Sequence, residues 1–261
     1  MLHFCSLYSS SEGNCFYVHG LNTHILIDAG VSLKKIEEAL SSIGVDIKDI
    51  QAVLVTHEHT DHSKSLSTIS KKYNIPIYAN KKTWEALPLQ KEKISKENQK
   101  TFTPEEYFSV GDLTVFPFRT PHDAACPCGF NITCDGTKIS VATDLGHITP
   151  TIIKNLENSS FVLLESNYDT EVLKCCSYPY NLKTRISGPS GHLSNIDASH
   201  TIVKLMKTGL KEVMLGHLSK ESNFPELAYQ TVLDEVTSQT NIQLPIHIAS
   251  RSMPTDIIHI A

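Results

Sequence analysis

Thr56-His57-Glu58-His59-Thr60-Asp61-His62 places four metal-binding side chains within six positions, directly after the apolar run Ala52-Val53-Leu54-Val55. An apolar run of this kind predicts a buried strand, and segments at strand ends are where a rigid scaffold displays functional groups. In extended chain, residues two apart face the same way, so His57 and His59 can converge on one cation. Asp61 and His62 are adjacent, and at a helix start they can turn towards a second position. Imidazoles with carboxylates suit zinc, iron or manganese.

Upstream of the motif, the first thirty residues predict short strands, with Phe16–Val18 and His24–Ile27 separated by the turn-prone Gly20-Leu21-Asn22 and closed by Asp28-Ala29-Gly30. Ser32 starts a predicted helix through about Ile43, with Leu33, Ile36, Leu40 and Ile43 at helical spacing. Beyond the histidine cluster, Leu66 and Ile69 suggest another helix, then Pro76–Ala79 a strand. Residues 91–100 are Lys/Glu-rich and read as a solvated helix or loop. Strands follow at 113–118, 129–133, 138–143, 161–165 and 212–216, and helices around 150–157, 194–207 and 225–238. Strands and helices alternate in two rounds, which suits an α/β fold of the αββα sandwich type, two mixed sheets with helices on the outer faces. No Pro/Gly/Ser-rich linker interrupts the chain, so one domain over 1–261 is expected.

Composition narrows the function. A net charge of −5 argues against a broadly basic surface that coats nucleic acid, though not against a local basic groove at a metal. No basic, apolar leader opens the sequence, and apolar stretches such as Phe161–Leu164 are too short to span a bilayer. A cytoplasmic protein without a membrane segment is expected. Seven cysteines form no disulfide pattern, and neither Cys126/Cys128 nor Cys175/Cys176 has the usual zinc spacing, so they read as idle thiols. Among thirteen histidines, His3, His19, His24, His247 and His259 lie in strand-like stretches without ligand-spaced neighbours, and these, with His147 and His200, read as structural.

The motif His-x-His-x-Asp-His, complete here as His57, His59, Asp61 and His62, resembles the signature of the metallo-β-lactamase superfamily. The resemblance extends over nearly the whole chain, because further landmarks follow in the family's order. It implies that Asp28 supports the histidine loop, that His122 and His217 are later metal ligands, and that Asp144 bridges two ions. On that pattern His57, His59 and His122 hold one divalent cation and Asp61, His62 and His217 the other, with Asp144 and a hydroxide between them. Zinc or manganese would serve, each lowering the pKa of bound water.

Departures within the motif choose a branch. His59 stands where flavo-diiron oxidoreductases have glutamate, and Asp144 where zinc β-lactamases have cysteine, which leaves phosphodiesterases and glyoxalase II-like thioesterases. Ser190-Gly191-His192-Leu193-Ser194-Asn195 resembles an element of the ribonuclease Z branch, implying that His192, a catalytic group beside Asp61, protonates the leaving oxygen or binds phosphate. Read plainly, Ser194 is also a helix N-cap. The stretches Ser9–Cys15 and His217–Ala228 resemble the single-domain YycJ/WalJ/VicX-type proteins, implying a metal-dependent 5′–3′ exonuclease on DNA. Within it, Asn14, Ser219, Lys220 and Asn223 would hold phosphate oxygens. Glu12 departs from the Ser-Ser-Gly-Asn run usual there, and Ser219–Asn223 also reads as a turn before the helix at Pro225. The chain has no room for a β-CASP insertion and no long basic arm, which disfavours ribonuclease Z proper. A small ester, thioester or cyclic-phosphate hydrolase is the rival, and a non-catalytic regulator is disfavoured by the full ligand set.

Overall fold

Phe16, Tyr17, Val18, Ile25 and Ile27, β-formers in short runs, are all buried in the opening strands β1 (Leu2–Tyr8), β2 (Cys15–His19) and β3 (His24–Ile27). The structure, a computed structural model, describes residues 1–261. Helix α1 (Leu33–Ser42) buries Ile36, Ala39 and Leu40, and Ser32 holds its N-cap position without a side-chain bond. Strand β4 (Ile50–Leu54) delivers the chain to the histidine motif, which continues into α2 (Thr60–Ser63) and α3 (Leu66–Tyr73). Next come β5 (Ile77–Asn80), α4 (Lys81–Ala86), α5 (Pro88–Lys91) and β6 (Gln99–Phe102). The Lys/Glu-rich stretch holds only the single turn Lys96–Asn98 before β6. Strands β7 (Phe108–Val110), β8 (Leu113–Arg119) and β9 (Cys128–Cys134) then make an antiparallel meander.

Onward, β10 (Thr137–Ala142), α6 (Pro150–Leu156) and β11 (Phe161–Glu165) match the predicted elements closely. Two short helices that the sequence did not signal come next, α7 (Thr170–Cys175) and α8 (Tyr180–Ile186). The chain ends through α9 (Asn195–Met206), β12 (Glu212–Gly216), α10 (Pro225–Gln239), β13 (Ile246–Ile248) and β14 (Ile258–Ile260).

Contacts group the chain into two units, Met1–Arg119 with Ala124–Thr137 and Ser250–Ala261, and Thr120–Asp123 with Lys138–Ala249. The first contains the sheet β14-β1-β2-β3-β4-β5-β6, antiparallel up to β3 and parallel beyond it. Its core runs from Leu26, Val53 and Val55 to Ile36, Leu40, Leu66 and Ile69, joining sheet to helices. In the second, β10, β11, β12 and β13 run parallel in that order. Strand β11 reads Phe-Val-Leu-Leu-Glu and is buried at every position, as expected of a parallel strand covered on both faces. The His57–His62 motif follows the parallel strand β4, and Asp144, Glu165 and His217 stand at the carboxyl ends of the parallel strands β10, β11 and β12.

Candidate metal centre

In the first unit the motif loop is held from behind by Asp28. Its buried carboxylate accepts from the Thr56 amide (2.9 Å), the Thr56 hydroxyl (2.8 Å) and His62 Nδ1 (2.7 Å). Burial pushes the Asp28 carboxyl above its ordinary pKa, opposed by the charge and hydrogen bond of His62. A carboxylate only accepts, so His62 carries its proton on Nδ1 and keeps the Nε2 lone pair. The Thr56 hydroxyl gives its proton to Asp28 and therefore accepts from His57 Nδ1 (3.0 Å), which fixes the same tautomer in His57. His59 holds the N-cap position of α2 without a side-chain bond, its ring 4.6 Å from that of His57 and nearly perpendicular to it.

Asn14 reaches this loop from the turn after β1. Its amide is fully buried, donating to Ser10 O (2.9 Å), accepting from Ser10 N (3.1 Å), and lying 3.0 Å from His62 Nε2 and 3.4 Å from Asp61 Oδ2. The Asn14 backbone amide donates to Asp61 O (2.8 Å). Gly30 is required here, because a Cβ would fall 1.6 Å from that same carbonyl oxygen.

The second unit contains a matching device that sequence reasoning missed. Glu165, the last residue of β11, is completely buried, and its Oε1 accepts from both His192 Nδ1 and His217 Nδ1 at 2.7 Å. Oε2 accepts from the amide of Leu145 (2.6 Å). Burial alone would raise the Glu165 carboxyl, but the charge and hydrogen bond of His192, and then those of His217, hold it below the ordinary range. Asp144, Glu165, His192 and His217 each offer a ligand atom within 4.8 Å of the others. His122 donates from Nδ1 to Gly191 O (3.0 Å), its Nε2 lies 3.5 Å from Asp144 Oδ1, and burial lowers its pKa, favouring the neutral imidazole that a metal requires.

Asp28, Asp144 and His217 all adopt left-handed backbone, with φ of 62°, 58° and 56°. Non-glycine residues rarely accept that conformation, and a strain of order 1–3 kcal/mol at each concentrates at functional positions. The sharp turn it produces is what aims a side chain off the end of a strand.

Of the residues expected to hold phosphate, only Lys220 is exposed. Ser219 is buried, its hydroxyl 3.4 Å from Tyr178 Oη and accepting from Ser222 N (3.3 Å). The Asn223 amide is spent on Ser166 O, Asn167 O and the Asn195 side chain, and it ties the loop after His217 to β11. Ser194 does cap α9, accepting from Asp197 N (3.1 Å).

Five imidazoles, those of His57, His62, His122, His192 and His217, thus have Nδ1 anchored, which fixes the orientation of each ring. That second layer of carboxylate, hydroxyl and carbonyl is the arrangement that orients histidine ligands towards a metal. The residues fit divalent cations on this ground.

A family profile described as a beta-lactamase superfamily domain matches residues 23–218, a span that includes every residue from Asp28 to His217. The exodeoxyribonuclease WalJ of Streptococcus pneumoniae serotype 2 (strain D39) is 35% identical, over 88% of this chain and 86% of that one. The exodeoxyribonuclease YycJ of Bacillus anthracis is 34% identical, over 99% of both. Among solved structures, the metallo-β-lactamase fold protein YhfI of Bacillus subtilis aligns with a TM-score of 0.72 at 14% identity, covering 97% of this chain and 98% of that one, which shows the shared fold.

Proposed function

The chain belongs to the metallo-β-lactamase superfamily, two mixed sheets with helices, and from that membership we propose that it is a metal-dependent exonuclease acting on DNA from the 5′ end. Support comes from the imidazoles anchored through Nδ1 and from two relatives, each named an exodeoxyribonuclease, that match most of the chain. His57, His59 and His122 would hold one divalent cation and Asp61, His62 and His217 a second, with Asp144 shared, zinc or manganese serving at each. Bound there, such ions supply an activated water and stabilise charge on the phosphate. No helix is long and apolar enough to cross a membrane, and we place the activity in the cytoplasm.

The chain's own contribution is orientation and proton supply. His192 lies at the cluster with its Nδ1 on Glu165, which orients the ring so that Nε2 serves as the general acid towards the leaving oxygen. Lys220 stands exposed at the turn beyond His217 to meet phosphate, while buried Ser219, Asn14 and Asn223 hold the loops that present the ligands.

The test is digestion of end-labelled single- and double-stranded DNA and RNA by metal-stripped protein restored with Mn²⁺ or Zn²⁺. Nucleotides should leave DNA from the 5′ end, and Asp61→Ala should abolish it. No cleavage of any nucleic acid with both metals bound would instead favour a small-ester hydrolase.

A further inference from the structure

Between β11 and α9 the chain builds a small platform from α7 and α8. It has its own apolar centre, where Tyr168, Leu173 and Ile186 are buried with Tyr178 and Leu182 packed against them. It is also fastened to the cluster at several points. Ile186 O accepts from His192 N (2.8 Å), Arg185 Nε meets Asp123 Oδ2 (2.7 Å) beside His122, and the Tyr178 hydroxyl reaches Ser219. The residues that tie α8 to the cluster, Arg185 and Ile186, lie on one side of the helix.

Its other side presents Tyr180, Lys183, Thr184 and Ser187, spaced three and four apart and therefore on one face. With Leu173 and Lys174 they line a cavity of about 530 Å³, a size that accepts a small ligand. Tyr180 is 85% exposed at its rim. Lys183 Nζ donates to Lys174 O (2.7 Å), and Lys174 pairs with exposed Glu171 (2.7 Å), a surface pair weak enough to be exchanged for phosphate. An exposed aromatic ring flanked by ammonium groups is how proteins hold single-stranded nucleic acid, the base on the ring and the backbone on the cations.

Resting on the nuclease reading, we propose that this platform grips an unpaired stretch of the DNA strand, one base stacked on Tyr180 and the neighbouring phosphates held by Lys174 and Lys183. The platform thereby selects single-stranded ends by stacking rather than by sequence.

The experiment compares wild-type, Tyr180→Ala, Tyr180→Phe and, as an exposed aromatic outside the platform, Tyr107→Ala, each loaded with Mn²⁺, on a fluorescently labelled DNA oligonucleotide. For Tyr180→Ala, KM should rise about tenfold, the scale of one base stack, with the loss in KM rather than kcat. Tyr180→Phe should restore KM because the ring remains, and Tyr107→Ala should match wild type. If wild-type protein degrades DNA and Tyr180→Ala does so with the same KM, or if Phe fails to rescue, the platform is overturned while the nuclease reading stands. If wild-type protein neither binds nor degrades the strand, both fall together.

Discussion

Replacing Asp28 by Asn keeps the shape of a buried side chain and removes one acceptor, and the hydrogen bonds around it determine where the damage falls. The carboxylate serves three donors, Thr56 N on Oδ1 and both Thr56 Oγ1 and His62 Nδ1 on Oδ2. With the amide nitrogen turned to Thr56 N, two donors face each other in the interior, at a cost of about 1–3 kcal/mol. With the nitrogen turned to the other side, the Thr56 hydroxyl can reverse, but His62 must accept at Nδ1 and move its proton to Nε2, the lone pair a metal would use. The second arrangement sets the new Nε2 proton against the Asn14 amide nitrogen 3.0 Å away, so the damage reaches the ligand as well as the fold. Loss of a second-layer partner of this kind weakens metal affinity by about 10- to 100-fold. Because burial already raises the Asp28 carboxyl, the neutral amide recovers part of the stability, and the metal-free melting temperature should fall by no more than about 2–4 °C for each kcal/mol lost. Chelator competition gives the affinity, melting with and without metal gives the stability, and ¹⁵N-detected histidine NMR gives the tautomer. Unchanged affinity with His62 still protonated at Nδ1 would break the link between this carboxylate and the ligand's tautomer.

Three further outcomes are expected. His192→Ala should retain both metals while turnover falls about 10²- to 10⁴-fold, and lost metal occupancy would make it a ligand instead. Gly30→Ala should lower stability by about 1–3 kcal/mol and metal content together, since its Cβ meets the Asp61 carbonyl at 1.6 Å, and a variant with wild-type melting would contradict the close approach. His3, His19 and His24 are lowered, chiefly by burial, so the folded chain binds fewer protons than the unfolded one below their ordinary value of 6.5. Stability is therefore full above that pH and is lost as pH falls beneath it, and the double change His3→Gln with His19→Gln should flatten the melting profile between about pH 7 and 5.

The motif was legible because four donors follow one strand, and Asp28 and Asp144 because each ends an apolar run with a family landmark. Glu165 ends its run in the same way, Phe-Val-Leu-Leu-Glu, but a lone carboxylate at a strand end carries no spacing, and only the two imidazoles brought to it from residues 192 and 217 reveal its work. That pattern, an apolar strand closed by an acid as in Ile25-Leu26-Ile27-Asp28, was the available signal. Asn14 and Asn223 were visible as polar residues in the right segments, yet sequence does not say whether an amide faces solvent or its own backbone, and both turned inward. Helices α7 and α8 escaped because Pro179 and Gly188 punctuate them and their apolar positions, Leu173, Leu182 and Ile186, are too few for a periodic stripe. His3, His19, His24 and His259, read as isolated, pair across β14, β1, β2 and β3 in one row, a juxtaposition set by strand register alone.

A single oxygen, Glu165 Oε1, is the pivot from which His192 and His217 both hang. Neither ring can rotate without disturbing the other's anchor, so the two histidines behave as one mechanical part. Alterations at either should combine non-additively with a change at Glu165, and an engineered exchange of one ring would have to be matched at its neighbour. Redesign of this centre is thus constrained to move by pairs.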